Sequence, residues 1–156
     1  MKYFFLLNLL LTSSLWSQNE LQIDLTFGNY FNDHNAKKFH IKERRWLLTK
    51  GELIYVIDEY DKRYTDTLKL TNSDLDSIQI TIEKKKLNQN VDKKFENKHL
   101  KYSGHSAVIK GFIINNSKES KILIKGHSTA SLSEKQPSKG YKELEYLLYR
   151  IIERYD

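Results

Sequence analysis

The sequence predicts an α+β fold: one antiparallel sheet of five to six strands with two helices packed on one face. Three observations carry this. Leu21–Phe27 alternates apolar and polar residues, the signature of a strand with one wet side. Within Ala107–Gly126, two apolar, β-branched runs flank a short polar segment, as in a β-hairpin. Tyr141, Leu144, Leu148, Ile151, Ile152 and Tyr155 form one helical stripe, with Lys142, Glu143, Arg150, Glu153 and Arg154 off it.

Taken in order, Met1-Lys2 is a short positive start, Tyr3–Leu11 is apolar except for Asn8, and Thr12–Ser17 is mostly small and polar. That is the three-part layout of a secretory signal peptide. Cleavage is expected after Ser17, leaving residues 18–156 as one domain. A membrane anchor is the alternative, but the charge-free run is too rich in Ser, Thr, Asn and Gln to span a bilayer comfortably. The expected destination is periplasmic or secreted, with no stable membrane span after cleavage. The sequence has no cysteine. That excludes disulfides and a cysteine-linked lipid anchor, so the fold must stand on its core.

Past β-like Leu21–Phe27, Gly28-Asn29 allows a bend, and Asn32–Lys38 reads as a loop. Phe39–Leu48 reads as a strand, followed by a hairpin of Glu52–Asp58 and Tyr64–Leu70 in which Asp66 is the awkward member of its face. Residues 73–87 read as a helix, because Ser or Asn can cap its start, Asp74 and Asp76 suit the first turn and Lys84–Lys86 the last. Ile78, Ile80 and Ile82 also alternate, as in a strand. Leu87–Lys101 reads as a long polar connection. Asn115 and Asn116 suit the turn of the Ala107–Gly126 hairpin, whose apolar arms place it centrally in the sheet. Ser128–Gly140 reads as a mobile loop, with Ser138 as cap of the last helix. Hairpin–helix thus occurs twice, and the leading strand adds an edge or caps the sheet.

The hairpin, the helix beginning Leu-Thr-Asn-Ser-Asp-Leu-Asp-Ser-Ile, Ser103-Gly104-His105-Ser106 and the closing Tyr-Lys-Glu-Leu-Glu-Tyr-Leu-Leu helix together resemble small exported Bacteroidetes proteins of unknown function, over about residues 46–155. The resemblance implies export and this fold, and implies no chemistry.

Three features are candidate sites. Gly-His-Ser occurs at 104–106 and 126–128, at either end of the hairpin. A turn centred on Asn116 would bring His105 and His127 face to face, or leave them a residue or two apart. With His99 or an acid as a third ligand they could hold a metal, and as a pair they could serve as acid and base. The bland alternative is two polar residues at a wet strand end. No Gly-x-Ser-x-Gly elbow and no phosphate-cradling glycine loop is present, and no residue pattern points to a cofactor. Second, Lys84, Lys85, Lys86, Lys93 and Lys94, with Lys98 and Lys101 beyond, would attract anions if they share a face; an ordinary solvated surface is the alternative. Nucleic acid is not expected as a partner, because aromatic and arginine interleaving is sparse. Third, Tyr146 and Tyr149 lie off the last helix's stripe and suit an interface; the alternative is that Tyr146 rests against Arg150 one turn on. The net charge of +6 favours anionic partners. The leading expectation is a non-catalytic exported binding module, a class that includes inhibitors, immunity-type proteins and envelope components, acting on a protein or an anionic envelope component. The alternative is a small hydrolase or metal-dependent enzyme using His105 and His127.

Overall fold

The structure, a computed structural model, describes residues 21–32, 38–59, 62–95, 105–127, 132 and 135–155. The leader, His99 and Ser128 lie outside the described residues. Among the described residues, seven strands and two helices follow in order: β1 (Gln22–Asn32), β2 (Lys38–Thr49), β3 (Glu52–Glu59), β4 (Lys62–Lys69), α1 (Asn72–Lys84), β5 (Val91–Phe95), β6 (His105–Asn115), β7 (Lys118–Gly126) and α2 (Ser138–Ile152). The α+β class and the largely antiparallel sheet agree with expectation; the strand number exceeds it.

The sheet order is β4-β3-β2-β1-β6-β7-β5. β1 is therefore the middle strand, not an edge or a cap. It pairs antiparallel with β2 on one side and β6 on the other. The Ala107–Gly126 hairpin lies off centre, between β1 and the edge. Nor does β1 stop at Gly28; it continues to Asn32 with a register shift between Asn29 and Tyr30, the kind of irregularity that lets a long strand bend while staying paired. β5 is a second departure. It is a short edge strand, parallel to β7, in a stretch whose lysines and aspartate mask the weak apolar signal of Val91 and Phe95.

Paired residues share a face, so the register sorts every side chain. One face presents Ile23, Leu25, Phe27, Trp46, Leu48, Leu53, Ile109, Ile113, Ile122 and Ile124, all buried in a single cluster with Ile78 and Ile82 of α1 and Leu144, Leu148 and Ile151 of α2. Both helices therefore lie on that face. Truncating a fully buried member such as Leu148 would cost roughly 2–5 kcal/mol. Among the described residues no helix covers the other, open face.

α1 settles its own ambiguity. Ile78 and Ile82 are fully buried and Ile80 is 60% exposed, which is helical spacing. Its cap is Thr71 rather than Ser or Asn. The Thr71 hydroxyl accepts from the Asp74 N–H, and the Asp74 carboxylate accepts from the Thr71 N–H, a reciprocal capping box. α2 begins at Ser138, which is inside the helix; Pro137 holds the cap position without a side-chain bond. The two helices run antiparallel and are tied at both ends. The Tyr141 hydroxyl donates to the Leu87 carbonyl. At the other end, Arg154 and the Tyr155 hydroxyl donate to the Asp74 carboxylate.

Candidate functional site: a groove between the helices

The outer surfaces of α1 and α2 border an open groove of about 520 Å³. Its α1 wall is formed by Thr81, Lys84 and Lys85, and its α2 wall by Lys139, Lys142, Glu143 and Tyr146. The reason is helical spacing. Thr81, Lys84 and Lys85 sit one turn apart beside the buried Ile78–Ile82 stripe, and Lys139, Lys142, Glu143 and Tyr146 do the same beside Tyr141–Leu148. Close approach is set by Gly140, where a Cβ would press on Leu87 and Lys85.

The four amines are not equivalent. Lys85 forms an ion pair with Glu143 across the groove. Lys142 lends its stem to the wall but turns its ammonium inward. It lies 3.1 Å from Glu145 Oε2 and over the Phe27 ring, and burial lowers its pKa against the raising influence of Glu145. Lys84 and Lys139 are exposed, and among the described residues neither pairs with a carboxylate. Tyr146 is 65% exposed at the rim. The groove thus offers two free ammonium groups, a third held by one carboxylate, and an aromatic face.

Beneath it lies a charge cluster that sequence reasoning missed. Glu145 is 4% exposed on the sheet-facing side of α2. Arg44 Nε sits 3.1 Å from its Oε1 without hydrogen-bond alignment, while Arg44 Nη2 donates to its Oε2 at 3.4 Å. The Arg44 guanidinium also lies 5.9 Å from the Tyr149 ring, whose edge packs on Trp46 at 4.8 Å. Tyr149 is therefore partly buried against the core, and burial raises its pKa. A Glu at 145 falling between the stripe residues Leu144 and Leu148 was the available signal. A buried charge needs a partner, and β2 supplies one from the charged centre of its sequence.

The other sequence candidates separate. The β6–β7 turn is Asn116-Ser117, at φ 54° and 61°, and Asn115 is a buried strand residue. Ala107 pairs with Gly126 and Val108 with Lys125, so the register is one residue away from the one that sets His105 opposite His127. His127 lies one residue past the end of β7, and the offset falls within the residue or two expected. His105 stacks on Phe31, with ring centroids 4.9 Å apart. Among the described residues no group of three His, Cys, Asp or Glu side chains could hold a metal. The lysine set divides as well. Lys84 and Lys85 line the groove and Lys86 follows the end of α1 at φ 55°. Lys93 and Lys94 lie on opposite sides of β5, one aligned with Ile124 and the other with Lys125. Lys98 and Lys101 lie outside the described residues.

No helix of the described residues is long and apolar enough to cross a membrane. A scan against protein-family models finds no match for the chain, and no curated protein matches it.

Proposed function

We propose that the protein is an exported, non-catalytic interaction module that takes an anionic ligand in the groove between α1 and α2. The observation that carries this reading is the meeting of the ammonium groups of Lys84 and Lys139, and of Lys85 paired with Glu143, with the exposed Tyr146 around one concavity. Converging cations raise the local concentration of anions and favour their capture, and a tyrosine at the rim adds a flat contact of low entropic cost. An enzyme built on His105 and His127 would need the two rings to converge on one reacting atom; their register offset speaks against that.

The test is binding of a short sulfated oligosaccharide and of inorganic polyphosphate, followed by calorimetry. The expected result is binding that weakens steeply with salt and falls about tenfold or more in a Lys84→Glu/Lys139→Glu variant. Equal affinity in that variant would overturn the reading.

A further inference from the structure

The open face of the sheet carries a second cationic surface, assembled by register alone and independent of the groove. Ile109 and Ile113 are buried under the helices, so the intervening Lys110 and Phe112 project from the open side. Lys110 lies opposite Leu123 on β7, Phe112 opposite Lys121, and Val108 opposite Lys125. On the edge strand, Lys94 stands beside Lys125. Lys110 and Lys125 are exposed, and among the described residues neither has an ion pair. The nearby carboxylates are Asp24 on β1, opposite Phe112 and paired with Arg45, Glu119, 3.9 Å from Lys121, and Asp92 on β5, aligned with Leu123. Lys110, Lys121, Lys125 and Lys94 therefore alternate with the partly exposed Val108, Phe112 and Leu123 on this part of the face.

We propose that this part of the open face docks flat on an anionic lipid surface. The arrangement fits that partner because neighbouring strands β6, β7 and β5 present their side chains on one continuous face. Its lysine stems allow the ammonium groups to stay level with lipid phosphates, while Phe112 and Leu123 enter the headgroup region between them. No such layering of charge over apolar contact is needed to bind a soluble polyanion.

The experiment uses protein purified as its host exports it, mixed with vesicles of phosphatidylcholine alone or with phosphatidylglycerol added. Co-sedimentation is expected only with the anionic vesicles and is expected to fall with salt. Lys110→Glu/Lys125→Glu should weaken it by about tenfold or more, whereas Lys84→Glu/Lys139→Glu should leave it unchanged. A Phe112→Trp reporter should shift its emission to the blue on anionic vesicles, and sedimentation of the chain with Phe112 intact gives the same comparison without the substitution. Equal binding to neutral vesicles, binding lost equally in the groove variant, or capture of soluble polyphosphate through Lys110 and Lys125 with no vesicle binding would each overturn the proposal. Since the groove is tested with soluble ligands and its own variant, either reading can fail alone.

Discussion

Asp74 shows how much one side chain holds together. It is 2% exposed, closes the capping box with Thr71, and receives Arg154 and the Tyr155 hydroxyl from beyond the end of α2. Burial alone would raise its pKa, but the hydrogen bonds from Thr71, Tyr155 and Arg154 outweigh it and hold the group at about 2. A depressed carboxylate pKa means stability that is present above the ordinary aspartate range and is lost as pH falls through the folded value. The wild-type chain should therefore lose stability between about pH 4 and pH 2. Asp74→Ala should cost about 2 kcal/mol at neutral pH and should flatten that acid limb, as read from melting temperatures across the range. The cap was legible in sequence only as a position: Asp74 was expected in the first turn, while its partners eighty residues on were invisible, because nothing local ties Arg154 or Tyr155 to it.

The β6–β7 hairpin carries the lesson for elements. Its two strands were legible from their β-branched runs, yet its register was not, because a turn placed one residue early moves every cross-strand partner. The observed loop has two residues, both with positive φ, the primed geometry that matches strand twist and favours glycine at its second position. Ser117→Gly should accordingly stabilise the protein by roughly 0.5–1 kcal/mol, visible as a higher melting temperature; a lower one would mean that Ser117 makes a contact worth more than its strain. Gly111 is the opposite case. At φ 139°, with the Asp24 carbonyl where a Cβ would stand, it lets β6 lie close against β1. Edge elements were the least legible. β5 is half exposed and lysine-rich, so parallel pairing with β7 rather than composition makes it a strand. On β4, the Asp66 carboxylate accepts from the N–H of Thr67, which suits a charged residue on an unpaired rim and accounts for its awkward place in the alternation.

At the scale of the whole molecule, one buried cluster joins both halves of the sheet to both helices. Removing either helix would expose the same apolar face, so unfolding should be a single cooperative event. Far-ultraviolet circular dichroism should therefore melt together with the fluorescence of Trp46, which is fully buried; two separated transitions would show halves that unfold independently. The class of fold and the two helices could be read from periodicity because each amphipathic element announces its own buried side. Strand order could not, because it depends on pairings between distant segments. The groove was half legible: Lys84, Lys85 and Tyr146 were singled out for different reasons, and only the antiparallel helix pair brings them together. The middle position of β1 has a last consequence. Its second neighbour, β6, begins only after residues 33–104, so a chain emerging from its amino end delivers the keystone strand early and that neighbour late. Until β6 arrives, one rim of β1 has no ladder to join, and assembly waits on a long-range closure that slows folding; a holdase that shields nascent strand edges should matter more to this protein than to one whose sheet grows outward in chain order.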